Sequence, residues 1–265
     1  MIPRIIHYVW LGPNPLPALA QRCLESWQAH LPGYRIMIWG NDQAKEINNL
    51  YLQQAIHLKK WAFASDVIRL HALKLFGGIY LDTDVEVKQS LDESLELNFF
   101  TGHEVYNQYC SPITTAVMGA APGVPLIDEL LSLYDQAVFY RPGYVDQTAN
   151  THRLSDYLKQ KYALPAVLKP ENCLTLENGH LVFPCHYFCT PCLDKPSYTV
   201  HHFSGSWVDD YNRKLKYAWG RHLHWIRFTP EKINHGGQLP LFPSEKLLFK
   251  FCLKNKIYAL IKTTL

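Results

Sequence analysis

The chain has 265 residues, 48% of them apolar and 18% charged, with a formal net charge of +3. That length and composition describe one large domain, or one domain with a tail, holding enough apolar matter for a real core. No run of about 18 apolar residues occurs, so no membrane-spanning helix is expected. The opening MIPRIIHYVWLG carries Pro, His and Trp within a short apolar run and suits a buried strand better than a secretion signal, which predicts a cytoplasmic protein. The seven cysteines are odd in number and scattered, which argues against a secreted disulfide framework.

In chain order, Ile5–Trp10 reads as a first strand, closed by Leu11-Gly12-Pro13. Pro17–His30 reads as a helix with Leu19, Cys23, Leu24 and Trp27 inward, and Tyr34–Trp39 as a second strand. Asn41-Asp42 is a helix-capping pair, and Glu46–Leu58 is helical in pattern. This alternation of strand and helix predicts a mostly parallel sheet flanked by helices. From Lys60 to Phe76 apolar residues recur at steps of three and four through Trp61, Ala64, Ile68, Ala72 and Leu75, the stripe of an amphipathic helix. Gly77 and Gly78 end it. The period then falls to two, with Ile79, Leu81, Thr83, Val85 and Val87 on one face and Tyr80, Asp82, Asp84 and Glu86 on the other.

Asp82 and Asp84 thus leave an apolar strand side by side. Two adjacent carboxylates repel unless something offsets them, and a hard divalent cation bridging to a diphosphate does so. The bland reading is a solvated acidic edge. The apolar run that stops at Asp82 favours a buried strand whose C-terminal end opens to ligand.

The run Ser65–Val87, SDVIRLHALKLFGGIYLDTDVEV, resembles the Asp-x-Asp sugar-binding region of glycosyltransferase family 32, with support at Pro3–Leu11 and His202–Trp207. The resemblance implies an α/β GT-A architecture with a Rossmann-like nucleotide half. It also implies a metal-dependent transferase that moves a sugar from a nucleotide diphosphate donor, UDP favoured, with retention at the anomeric carbon. The acceptor would be a glycan or lipid-linked saccharide, as in bacterial surface polysaccharide synthesis. Carried over residue by residue, Asp82 and Asp84 hold Mn²⁺ or Mg²⁺. Asp66 and Arg69 of the Ser-Asp-x-x-Arg pattern contact donor sugar and phosphates. Tyr80 is a further donor contact, and Trp10 stacks on the base. The closing His-x-x-x-Ser-Trp pattern supplies His202 as third metal ligand, in preference to its neighbour His201, with Ser206 and Trp207 closing over the diphosphate. Asp146, in the loop Arg141–Thr148, is the acceptor-side candidate, although that loop departs from the family pattern and a loop aspartate is more often a helix cap.

Further on, Asn98–Gly102 and Ile113–Met118 read as strands, and Val124 to Phe139 as a helix. Cys185-His186-x-x-Cys189-x-x-Cys192 could hold zinc, but it lacks a clean pair of Cys-x-x-Cys knuckles, and reduced loop cysteines are the favoured reading. From Gly205 onward eleven Lys/Arg face four Asp/Glu, against 15 and 19 before it. Glu245–Lys262 sets Leu248, Phe249, Leu253, Ile257 and Leu260 beside five lysines. This predicts a basic amphipathic helix suited to an anionic membrane on the inner face, and nucleic acid is not expected as a partner. The expected division is a transferase domain at 1–210 and a basic helical extension at 211–265. Two rivals stand beside it: a toxin-like transferase acting on a host protein, and a non-catalytic nucleotide-sugar or zinc-binding module.

Overall fold

A computed structural model describes residues 1–105, 113–192 and 195–204 in full and, beyond them, the backbone of three strands. The chain divides into two compact units, Met1–Ser204 and Gly205–Leu265. The first unit runs β1 (Ile5–Val9), α1 (Ala18–His30), β2 (Arg35–Trp39), α2 (Asn41–Glu46), α3 (Leu50–His57), α4 (Trp61–Phe76), β3 (Gly78–Leu81), β4 (Val85–Val87), β5 (Phe99–Gly102) and β6 (Val117–Ala120). It continues through α5 (Pro125–Ser132), a hairpin of β7 (Tyr140–Arg141) and β8 (Tyr144–Val145), α6 (Asn150–Lys161), β9 (Leu174–Thr175), β10 (His180–Phe183), α7 (Cys185–Phe188) and β11 (Thr199–His201).

Seven strands form one sheet in the order β2-β1-β3-β6-β5-β10-β9. Strands β2, β1 and β3 are parallel, as are β5 and β10, while β6 and β9 run against their neighbours. This is the mostly parallel, helix-flanked α/β sheet that the alternating pattern predicts. Each crossover returns the chain so that the C-terminal ends of β1 and β3 lie on the same edge, where ligands bind in such sheets.

The central helix α4 has the expected length but not the expected one-sided stripe. Phe63, Ala64, Asp66, Val67, Ile68, Arg69, Leu70, Ala72 and Leu73 are all buried, whereas Leu75 is 53% exposed. A helix enclosed on most sides needs no polar face, so its two buried charged residues require internal partners. At its end Gly77 and Gly78 both take positive φ. A Cβ on Gly78 would also stand 2.7 Å from the Ile5 carbonyl oxygen, so glycine lets β3 start close against β1.

The strand after α4 does not run unbroken to Val87. β3 stops at Leu81, residues 82–84 turn, with Val85 N–H donating to the Asp82 carbonyl at 3.0 Å, and β4 leaves the main sheet. It pairs antiparallel with β11 in a two-stranded ribbon. Helix α1 fixes that ribbon: Trp27 Nε1–H donates to the Val85 carbonyl at 2.7 Å, and Val87 N–H donates to Ser26 Oγ at 2.9 Å. The helical stretch expected at Glu46–Leu58 is broken by Asn49, whose Oδ1 caps α3 by accepting from Leu52 N–H at 2.9 Å.

In the second unit, Leu223–Phe228 (β12), Lys246–Leu253 (β13) and Lys256–Lys262 (β14) form an antiparallel sheet in the order β12-β14-β13. The amphipathic helix expected over Glu245–Lys262 is thus replaced by two strands. Its apolar residues also fall at alternate positions, are rich in Phe, Tyr and Ile, and break at Lys254-Asn255. A short run with both periods is a strand once a neighbouring strand pairs with it.

His7 on β1 is fully buried. Its Nδ1 lies 3.1 Å from Trp39 Nε1, which donates to it, and its Nε2 is 2.8 Å from the Gly77 carbonyl. One nitrogen must therefore accept and the other donate, which fixes the neutral tautomer. Burial lowers its pKa from 6.5 to about 4, opposed by the Gly77 hydrogen bond. A depressed pKa gives stability that is complete above about pH 6.5 and is lost as pH falls towards 4, by ~3 kcal/mol. Urea midpoints measured between pH 7.5 and 4.5 should fall accordingly, and His7→Gln should flatten that dependence.

Candidate active site

At the C-terminal end of β3 one guanidinium organises the surrounding carboxylates. Arg69 is 4% exposed. Its Nη2 lies 3.0 Å from Asp66 Oδ1 and 3.4 Å from Asp82 Oδ1, and Nη1 donates to the Thr115 carbonyl at 2.8 Å. Nη2 also donates to Ser65 Oγ at 3.1 Å, and the Tyr80 ring lies under the guanidinium carbon at 4.6 Å. Tyr80 in turn donates its hydroxyl to Asp82 Oδ1 at 2.8 Å. Burial opposes the charge on Arg69, but Asp82, Tyr80 and Asp66 outweigh it and raise its pKa further. Burial pushes the Asp66 carboxyl up to about 7, with Arg69 pulling the other way.

Asp82 is positioned by its backbone N–H, which donates to the Ala116 carbonyl at 2.8 Å across from β6. Asp84, at the turn, accepts from Ser204 N–H at 2.8 Å through Oδ2, and its Oδ1 lies 3.5 Å from His201 Nε2. Burial would raise the Asp84 pKa, but the His201 contact and the Ser204 N–H hold it well below the carboxylate range. Burial likewise opposes charge on His201. Contacts with Asp84 and Cys189 and the charges of Asp84 and Asp82 prevail, raising it to about 10. Asp82, Asp84 and His201 each offer a ligand atom within 4.8 Å of the others, the one such group among the described residues. Two carboxylates and an imidazole suit Mn²⁺ or a similar borderline divalent cation.

The imidazole that converges with Asp82 and Asp84 is that of His201, in place of the expected His202. Strand β11 pairs His201 with Val85 and Val200 with Glu86, and adjacent residues of a strand point to opposite sides. His202 faces away, with Nε2 2.9 Å from Glu86 Oε2. Its backbone N–H still donates to the Asp84 carbonyl at 3.0 Å.

Of the other expected residues, Asp66, Arg69, Tyr80 and Asp82 come together as one cluster. Asp146 is 7% exposed, ion-paired with Arg153 and accepting from Thr148 N–H at 3.0 Å. This ties it to its own loop and to α6. Trp10 follows β1, half-buried, with its indole N–H donating to the Asn14 carbonyl at 2.8 Å. Ser206 and Trp207 lie outside the described residues. Cys185, Cys189 and Cys192 are half-buried, buried and exposed respectively, and do not converge as a ligand group among the described residues.

Two participants escaped the sequence reading. The Ser204 amide is a backbone group and has no sequence signal. Glu104, two residues past β5, carries only the weak signal of a carboxylate beyond the C-terminal end of a strand. Its Oε2 accepts from Thr114 Oγ1 at 2.9 Å and lies 3.7 Å from His201 Nδ1.

The mostly parallel sheet, with an Asp-x-Asp turn at the end of a central strand, agrees with the helix-flanked α/β architecture expected from the sequence. Residues 17–101 match the family described as a glycosyltransferase sugar-binding region containing a DXD motif, and the relatives that the chain resembles are named as glycosyltransferases. An uncharacterized glycosyltransferase of Acanthamoeba polyphaga mimivirus is 27% identical over 78% of this chain and 84% of its own length. Inositol phosphoceramide mannosyltransferase 3 of Schizosaccharomyces pombe is 30% identical over 48% of this chain and 35% of its own length. Among solved structures, the PaToxG glycosyltransferase superposes with a TM-score of 0.48 at 18% identity, covering 61% of this chain and 70% of that one. A glycosyltransferase involved in glycosylation of the major capsid of PBCV-1 gives 0.43 at 14% identity, over 77% and 95%. No helix among the described residues is long and apolar enough to cross a membrane.

Replacing Arg69 by Met should strand two carboxylates in a low-dielectric setting and cost ~3–5 kcal/mol of folding free energy, read from denaturant midpoints. Tyr80→Phe removes one hydrogen bond and should cost only ~1 kcal/mol in the same assay.

Proposed function

We propose that the chain transfers a sugar from a nucleotide diphosphate donor, UDP-linked by preference, to a saccharide acceptor, with Mn²⁺ or Mg²⁺ held by Asp82, Asp84 and His201. The convergence of these three side chains within 4.8 Å at the ligand end of β3 carries the reading. A divalent cation bound there supplies electrostatic stabilisation to the charge that builds on a departing diphosphate.

The remaining work falls to the chain's own groups. Arg69 fixes the orientation of Asp82 and keeps a permanent positive charge behind it. Asp66, on the other side of Arg69, is a buried carboxyl able to take hydrogen bonds from sugar hydroxyls. Trp10 stands at the end of β1, the parallel neighbour of β3, where its indole can stack on the base. Ser206 and Trp207 keep their expected part in covering the diphosphate and excluding water. The acceptor we infer is a saccharide, free or lipid-linked, as in surface polysaccharide assembly. The fission-yeast relative is named for mannosyl transfer to inositol phosphoceramide, a lipid, which supports an acceptor carried on a lipid. Retention at the anomeric carbon remains part of the reading.

A panel of UDP- and GDP-sugars with Mn²⁺, scored for slow hydrolysis and transfer, tests the proposal. Turnover of at least one donor is expected, lost ~100-fold or more in Asp84→Ala and on chelation with EDTA. Turnover that persists undiminished in EDTA would remove the metal from the scheme, and a product of inverted configuration would remove retention. Trp10→Ala should weaken UDP binding ~10-fold by titration calorimetry, the loss of one stacking surface.

A further inference from the structure

The His201 ring stands between two carboxylates. Its Nε2 faces Asp84 Oδ1 at 3.5 Å, and its Nδ1 faces Glu104 Oε2 at 3.7 Å. Phe203 lies against the ring, centroids 4.1 Å apart, and limits its swing. Nδ1 is buried and without a hydrogen-bond partner at this separation. Glu104 is itself held by Thr114 Oγ1–H, and its side chain is 14% exposed.

A neutral imidazole offers a lone pair from one nitrogen only, and the other must carry the proton. Which nitrogen does which depends on the acceptor available to the proton. Here an anionic acceptor sits on the Nδ1 side and the aspartate pair on the Nε2 side. We propose that Glu104 is the positioning residue of the metal site: its carboxylate accepts the Nδ1 proton of His201 and turns the Nε2 lone pair towards a divalent cation between Asp82 and Asp84. The approach needed to complete that hydrogen bond is under ~1 Å. Glu104 acts through His201 and touches neither the cation nor the sugar. The proposal rests on the metal reading above and adds to it a residue from a different part of the sheet.

Mn²⁺ binding by the full chain, with no nucleotide present, tests it by calorimetry in wild type, Glu104→Ala and Glu104→Gln. Glu104→Ala should weaken Mn²⁺ binding ~10–100-fold, the usual cost of losing such a partner. Glu104→Gln is close in shape and keeps an oxygen acceptor, so it should recover part of that loss. With Mg²⁺ as a diamagnetic probe, ¹⁵N NMR should show His201 protonated at Nδ1 in wild type, and this preference should disappear in Glu104→Ala. Equal Mn²⁺ affinity in wild type and Glu104→Ala overturns the proposal and leaves the metal site intact. Intact Mn²⁺ affinity with lost turnover also overturns it, because Glu104 would then act on the sugar. Wild type that binds neither Mn²⁺ nor Mg²⁺ removes the metal reading and this proposal with it.

Discussion

The ligand end of the sheet depends on one buried cation. Arg69 sits inside the protein where an unpaired guanidinium would be prohibitive, and it is tolerated because Asp66, Asp82, the Thr115 carbonyl, Ser65 and the Tyr80 ring surround it. The same contacts set Asp82 at the mouth of the sheet. Folding and chemistry share this device, since the charge that makes α4 possible as an enclosed helix also fixes one of the two motif carboxylates. Thr115 belongs to the segment leading into β6, so α4, β3 and that segment are tied together at one point.

The other half of the site is built differently. Asp84 is held by groups at and just past the end of β11, namely His201 and the Ser204 amide, and β4 and β11 form a ribbon separate from the main sheet. The turn at residues 82–84 joins the two halves. Asp82 answers to Arg69 and the main sheet, and Asp84 answers to the ribbon braced by Trp27 and Ser26 of α1.

Much of this was legible in the sequence, for physical reasons. Asp82 and Asp84 stand out because an apolar strand ends on them, and Asp66 and Arg69 because residues three apart on a helix share a face. Arg69 reaching Asp82 was not legible, since that contact spans two elements whose packing only the fold reveals. His201 and His202 differ by one position in a strand, and nothing in a double histidine says which one faces inward. Register with β4 decides it. The tail erred for a related reason: Glu245–Lys262 satisfies a helical and a strand period at once, and β-sheet pairing made the choice. Glu104 was lost because a single glutamate past a strand is common, and its meaning comes from Thr114 and His201.

The separation along the chain has its own consequence for how the molecule matures. Asp84 and Ser204 are 120 residues apart in sequence yet share a hydrogen bond. Contacts of such long range close slowly, since the loop entropy must be met first. During synthesis, the region through β6 can fold and fix Asp82 before β11 leaves the ribosome, while the groups that hold Asp84 are still to come. Competence for catalysis would then arrive as a discrete late event, set by the docking of one short ribbon.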